Sequence, residues 1–331
     1  MKNYHCSLIA LFIVFSSFAQ NDITLRFNKK GEFKIAQFTD THVDLVNNKN
    51  LSVYKTIKTV IDIENPDFVI LTGDNVTQNN PQEAYRLFAD IFNKANIPWA
   101  VVFGNHDSQN NISRKKLAEF IEKLPLCMNK DIGDEIFGNS NFVLPVSDKD
   151  NKTQALLYFM DSGNRSSLKI INNSYDWLRF SQIEWYRKTS KHYTFNNGGK
   201  PLPALAFFHI PLMEYENAWN NKKNPPIGVR NEDPCSPDIN SGMFTAMLEK
   251  GDVMGTFVGH DHINDYIGVY YNIALAYGRV SKIMRNPKED PLAGGRIIVL
   301  KEGHRKFETW IRDMNGKKEL NCIWPDSFQN K

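Results

Sequence analysis

Phe68-Val69-Ile70-Leu71 passes through Thr72 into Gly73-Asp74-Asn75, and the reading of this stretch decides the fold. A short apolar run bounded by turn residues fits a strand buried on both faces. The glycine permits the tight bend that turns the following polar side chains inward at the strand end. The same plan recurs along the chain. Phe33–Phe38 runs into Asp40-Thr41-His42, Pro98–Phe103 into Gly104-Asn105-His106-Asp107, Ala204–Phe208 into His209, and Val253–Val258 into Gly259-His260-Asp261-His262. Alone, a Gly-Asp-Asn is more often a turn than a ligand, and His209 would pass for a hydrogen-bonded core histidine. Five such strand ends instead collect carboxylates, imidazoles and an amide along one sheet edge. Histidine and oxygen donors without cysteine suit first-row divalent or trivalent metals, so the pattern reads as a two-metal hydrolase.

Between these strands the apolar spacing turns helical: Val53, Ile57, Val60 and Ile61; then Ala84, Leu87, Phe88 and Ile91; then Leu117, Phe120, Ile121 and Leu124. Asn65-Pro66 breaks the first helix, and Asn80-Pro81 opens the second. Strands alternating with helices predict parallel pairing through crossovers. Sheets of that kind place their sites beyond the carboxyl ends of the strands, where the motifs sit. Further along, Ala155–Met160 reads as a strand, and Ser181–Glu184 as a capping box with Phe180 and Trp185 as its staple. Tyr266–Ala276 and Arg296–Leu300 read as antiparallel strands, with Phe307–Arg312 as an edge. The expected fold is α/β, two sheets packed on each other with helices outside. Residues 216–238 read as a long loop near His209, and long loops in compact domains are often functional. No repeat or linker divides residues 20–331, so a single domain is expected.

The residue types suggest their roles. A carboxylate has two oxygens and can touch two ions, and Asp74, between the Asp40/His42 and Asn105 loops, is the expected bridge. Asp40 and His42 can leave their strand end together, Asn105 offers a neutral oxygen, and His209, His260 and His262 complete the set. Two metals ~3.5–4 Å apart can hold a water or hydroxide as nucleophile at neutral pH and take up charge on phosphoryl oxygens. His106 follows Asn105 directly, so its side chain points elsewhere. It reads as a phosphate donor or general acid, with Asp107 orienting its ring.

Composition excludes other classes. The chain has 331 residues, 41% of them hydrophobic and 23% charged, with a formal net charge of +3. Lysine and arginine are dispersed, so no nucleic-acid-binding surface is expected. Lys2, the apolar run Leu8–Phe15 and Ser17-Phe18-Ala19 make residues 1–19 an expected signal peptide, and the mature protein secreted or periplasmic. No later apolar stretch is long enough to span a membrane. Cys127, Cys235 and Cys322 allow one disulfide at most. They lie far in sequence from one another and from the histidine motifs, which argues against a thiolate metal site.

Taken in order, these motifs resemble those of the calcineurin-like metallophosphoesterases. The resemblance implies a four-layer α-β-β-α sandwich of two mixed sheets with a dimetal site at the C-terminal strand ends. It implies Asp40, His42, Asp74 and His262 around one ion, and Asp74, Asn105, His209 and His260 around the other. A narrower similarity rests on Phe208-His209-Ile210-Pro211-Leu212, Glu214-Tyr215, Gly259–Asp265 and Tyr277-Gly278-Arg279. It points to the branch of the fungal dose-dependent cell-cycle-regulator phosphatase and its bacterial relatives, often labelled purple-acid-phosphatase-like. Thr77 stands where purple enzymes carry an iron-binding tyrosine, and His42 stands where they usually lack a histidine, so no charge-transfer colour is expected. Iron with zinc, two manganese ions or two zinc ions all suit the donors.

Glu214, Tyr215 and Arg279 are the expected substrate rim, Arg279 because a guanidinium grips phosphate oxygens, with a carboxylate partner as its alternative role. The leading expectation is a secreted phosphomonoesterase acting on a small phosphorylated substrate. The alternatives are a phosphodiesterase on nucleotide or lipid-headgroup diesters and a non-catalytic phospho-ligand-binding protein. No Gly-x-Ser-x-Gly elbow or Walker loop points to a serine hydrolase or a nucleotide hydrolase.

Overall fold

The computed structural model describes residues 23–171, 174–284 and 291–328. The expected signal peptide at 1–19 lies outside the described residues. In chain order the elements are β1 (Leu25–Arg26), β2 (Glu32–Phe38), α1 (Ser52–Glu64), β3 (Phe68–Thr72), α2 (Gln82–Lys94), β4 (Trp99–Val102) and α3 (Arg114–Ile121). There follow β5 (Phe142–Ser147), β6 (Thr153–Phe159), α4 (Phe180–Asn196), β7 (Ala204–Phe207), α5 (Glu214–Trp219) and α6 (Met243–Lys250). The chain closes with β8 (Val253–Val258), β9 (Ile267–Tyr270), β10 (Ile273–Tyr277), β11 (Gly294–Lys301), β12 (Phe307–Asp313) and β13 (Lys318–Trp324).

The strands form two mixed sheets, ordered β13-β12-β11-β2-β3-β4 and β1-β5-β6-β7-β8-β10-β9. β2, β3 and β4 pair in parallel, as do β6, β7, β8 and β10. The ligand motifs follow β2, β3, β4, β7 and β8, so parallel pairing delivers them to a common end. Apolar side chains cover both faces of these strands, as doubly covered parallel sheets require. Phe33, Phe68 and Ile70 of one sheet meet Phe159, Phe207 and Phe257 of the other. Phe142, Phe159, Phe207 and Phe257 stack in sequence, with ring centroids 4.5, 5.5 and 5.5 Å apart. Residues of α1, α2 and α3 pack with the outer face of the six-stranded sheet, and residues of α4, α5 and α6 with that of the seven-stranded sheet. This is the expected four-layer sandwich. At its working end Gln37 of β2 donates to the Val258 carbonyl of β8 at 3.1 Å, tying the sheets together where the ligands emerge.

Several local expectations shift. The α2 face is rotated: Tyr85 and Phe92 are deep, while Leu87 and Ile91 are half-buried. The cap of α4 lies two residues earlier than the capping box read from sequence, and only its Gln182 half forms. Gln182 accepts from the Arg179 amide at 2.8 Å, and Phe180 is 80% exposed, so it forms no staple. Tyr266–Ala276 contains the hairpin β9–β10, and β12 is covered by β13 instead of forming an edge. The three described cysteines are unbridged, with Cys127 and Cys322 buried and Cys235 exposed.

Candidate metal centre

Asp74 sits at the middle of the site. Its Oδ1 accepts the His106 amide at 2.7 Å. Its Oδ2 faces His209 Nε2 at 3.3 Å, His42 Nε2 at 3.6 Å and His106 Nε2 at 3.9 Å. One oxygen therefore faces imidazoles of both halves. Asp40 divides in the same way. Its Oδ2 accepts from Thr39 Oγ1 at 2.7 Å and from the His260 amide at 3.0 Å. Its Oδ1 has no hydrogen-bond partner and faces His262 Nε2 at 3.3 Å and His42 Nε2 at 3.8 Å.

The ligand atoms fall into two groups, Asp40-His42-Asp74-His262 and Asp74-His209-His260, each with its atoms within 4.8 Å of one another. Buried Asn105 Oδ1, His209 Nε2 and both ring nitrogens of His260 also lack a partner. Buried polar atoms are normally satisfied, and a cluster of orphans fits a site for an ion or water. His42 and His262 turn Nε2 towards each other at 3.2 Å. Lone pairs of two imidazoles and two carboxylates converging in one place fit divalent cations, and the donor set is one that first-row metals take. His209 completes the pattern: its Nδ1 lies 2.8 Å from the Thr72 carbonyl, which fixes that nitrogen as the donor and leaves Nε2 for a ligand role.

Local backbone explains why these residues can meet. Asp40, His42, Asp74 and His260 all have positive φ, at 53°, 44°, 51° and 77°. Such conformations cost of order 1–3 kcal/mol each outside glycine and cluster at functional sites. The motif glycines matter by their missing side chain as much as by their bend. A Cβ on Gly73 would stand 2.4 Å from His209 Nδ1, one on Gly104 2.3 Å from Asp74 Oδ1, and one on Gly259 1.9 Å from Thr39 Oγ1.

Charge coupling is strong. Burial alone would raise Asp40, yet the His262 and His42 imidazoles hold it well below the usual carboxylate range. Burial would lower His209, but Asp74 and Asp40 outweigh it and raise this imidazole to about 9. Burial and the adjacent His209 push His260 down to about 3. Burial also lowers His42.

His106 stands beside the cluster, its ring centroid 5.1 Å from that of His42. Its Nδ1 lies 2.8 Å from Gln109 Oε1, an acceptor, which assigns hydrogen to Nδ1 and turns Nε2 to the site. Asp107 does not orient this ring. Its carboxylate turns inward to accept the amides of Gly104 at 2.8 Å, Asn75 at 3.0 Å and Val76 at 3.1 Å. It clamps two ligand turns together. Burial and Asp74 raise it to about 6.

The expected substrate rim is corrected at all three positions. Tyr215 is fully buried, its hydroxyl 2.8 Å from Thr256 Oγ1, because it lies on the core face of α5. Glu214 is buried and accepts from Asn240 at 2.7 Å. Arg279 is buried in an ion-pair group with Asp265 and Glu319, 2.8 Å from the latter, and takes the carboxylate-paired alternative. Other residues stand nearer the site. The Tyr175 ring lies edge-on to His260, their centroids 4.4 Å apart, with the Arg165 guanidinium 4.1 Å from the Tyr175 ring centroid. Both come from an irregular stretch without motif, joined by an isolated Arg165–Tyr175 bridge. Cys235 is also brought to the His260-Asp261 turn, against the expectation from its sequence distance.

The model of the calcineurin-like phosphoesterase family matches residues 33–264. The chain is 34% identical over 286 residues to an Arabidopsis thaliana protein named probable inactive purple acid phosphatase 29, covering 77% of this chain and 73% of that protein. It is 32% identical over 265 residues to phosphatase DCR2 of Saccharomyces cerevisiae, covering 72% of this chain and 45% of the yeast protein. A solved dimetal phosphatase from Danio rerio superposes with a TM-score of 0.58 at 12% identity, covering 88% of this chain and 98% of that one, a likeness of fold alone.

Proposed function

The chain belongs to the calcineurin-like phosphoesterase family, and from that premise we propose that it is an exported phosphomonoesterase working with two metal ions. The observation that supports this most is Asp74 Oδ2, which faces imidazoles of both ligand groups while its partner oxygen is held by the His106 amide. Asp40, His42, Asp74 and His262 would hold one ion, and Asp74, Asn105, His209 and His260 the other. When bound, such a pair supplies an activated water at neutral pH and neutralises charge on the phosphoryl oxygens. Iron with zinc, manganese or zinc would suit these donors.

The protein's own groups supply the rest. His106 presents Nε2 to the space in front of Asp74 and, when protonated, can pass that proton to the leaving alkoxide. Gln109 keeps the ring in this orientation through Nδ1. Asp107 holds the Asn75 and Gly104 turns together, so the bridge and the amide ligand stay in register. The Tyr175 ring walls the His260 side. Export rests on the apolar run and small-residue pattern within residues 1–19.

The test is hydrolysis of p-nitrophenyl phosphate beside bis-p-nitrophenyl phosphate by protein reconstituted with Mn2+ or Zn2+. Faster monoester turnover supports the proposal. Faster diester turnover replaces it with the phosphodiesterase reading. Two bound metals with neither activity point to a phospho-ligand-binding protein.

A further inference from the structure

The long loop after α5 does not hang free. Ile227 pairs with Ile267 and Arg230 with Asn264. Asn264 Oδ1 accepts the amides of Asn231 at 3.0 Å and Glu232 at 3.1 Å, and Glu232 Oε1 accepts the Ile263 amide at 2.8 Å. The Cys235 amide then donates to both oxygens of Asp261, at 3.2 and 3.3 Å. This pinning sets an exposed thiol against the His260-Asp261 turn. Cys235, His260 and Asp261 each bring one ligand atom within 4.8 Å of the other two.

His260 is common to this cluster and the Asp74-His209 group. It is 9% exposed, and neither of its ring nitrogens has a hydrogen-bond partner. A metal-bound histidine normally donates its second ring nitrogen to a carboxylate, carbonyl or water. His260 makes no such bond, and a neutral imidazole has a single lone pair, so it can serve this cluster or the Asp74-His209 group but not both at once. Asp261 belongs to neither of the two groups described above. Cysteine, histidine and carboxylate together match the donors of zinc sites, and the thiolate selects softer ions over manganese or magnesium.

We infer that Cys235, Asp261 and His260 form a third cation site, for a thiophilic divalent ion of the Zn2+ or Cd2+ type. His260 is a candidate ligand of both this site and the Asp74-His209 group, so an ion held by Cys235 competes for the one lone pair that the catalytic pair needs. Excess zinc therefore inhibits through Cys235. The inhibition rests on the two-metal reading above; the binding site does not.

The experiment titrates Cd2+ into the full chain preloaded with Mn2+, following the ultraviolet thiolate-to-cadmium absorption, in wild type and in Cys235→Ser. The wild type should develop the band to saturation with one Cd2+ per chain, and Cys235→Ser should not. A missing band in the wild type, or an equal band in the variant, overturns the site. In parallel, Zn2+ inhibition of the Mn2+-loaded enzyme should need about 10–100-fold more zinc in Cys235→Ser, the usual cost of disturbing a metal's support. Equal zinc sensitivity overturns the competition for His260. A chain that binds no Mn2+ but shows the cadmium band keeps this site and loses the two-metal reading.

Discussion

The two halves of the ligand cluster are prepared to different degrees. In the Asp74-His209-His260 half, His209 is fully buried and anchored through Nδ1 to the Thr72 carbonyl, and its Nε2 is aimed at Asp74. In the other half, the His42 and His262 side chains are 11% and 28% exposed and face each other at Nε2. One half is closed against the strands at His209, while the other is exposed at His262. Asp74 Oδ2 is common to both.

The harshest way to break this comparison is to remove the shared atom. Asp74→Asn should lose metal from both halves and drop phosphatase activity to background, checked by metal analysis and assay of one sample. Loss from one half alone would show that the halves are built separately. Gly104→Ala tests the closed half. Its Cβ would meet Asp74 Oδ1 at 2.3 Å and His209 Nε2 at 2.8 Å, so metal content should fall, with stability lowered by about 1–3 kcal/mol as for other overpacked sites. Denaturant unfolding and metal analysis would read both effects. Unchanged metal content would mean the closed half yields more easily than the distances allow.

His106→Ala acts on chemistry while leaving every proposed ligand in place. It should keep both metals and lower turnover by ~10²–10⁴; metal loss would instead make His106 a ligand. A pH titration sharpens the contrast between the halves. His209 is raised to about 9 by its carboxylates, so at neutral pH a metal entering that half must displace a proton. Mn2+ affinity there should rise by about tenfold per pH unit from 7 towards 9 as the competing proton leaves. Burial lowers His42, so the open half should bind without that proton cost. Calorimetry in buffers of different ionisation enthalpy would count the protons released, and no release would contradict the contrast. The smallest effect expected is that of Tyr215→Phe. Losing its bond to Thr256 should cost about 1 kcal/mol of stability and leave turnover unchanged, whereas altered kinetics would return Tyr215 to the substrate rim.

How far the sequence could be read depended on where each residue's partners lie. The strand-end motifs were legible because a strand, a turn and the side chain after it are local, and parallel order brings their ends together. Asp40, His42, Asp74, Asn105, His209, His260 and His262 all stand beyond the strands from which they were read. The rim was not legible in that way. Glu214-Tyr215 follows the His209 motif, but α5 turns Tyr215 into the core. Arg279 follows β10 and meets Asp265 and Glu319, partners that no local pattern announces. Asp107 failed for a similar reason, since the short 3-10 turn at His106–Ser108 points neighbouring side chains apart and leaves Gln109 to reach the ring. The approach of Cys235 to His260 depends on how a long loop pairs back onto β9 and the turn before it. Spacing along the chain carries no record of that pairing.

The most direct test of the account is the metal content of the reconstituted wild-type chain after removal of loosely bound ions. Two first-row metal ions per chain, one of them lost first on mild chelation, are the predicted result. No bound metal, or a single ion that resists chelation as one population, would contradict a cluster built around a shared Asp74.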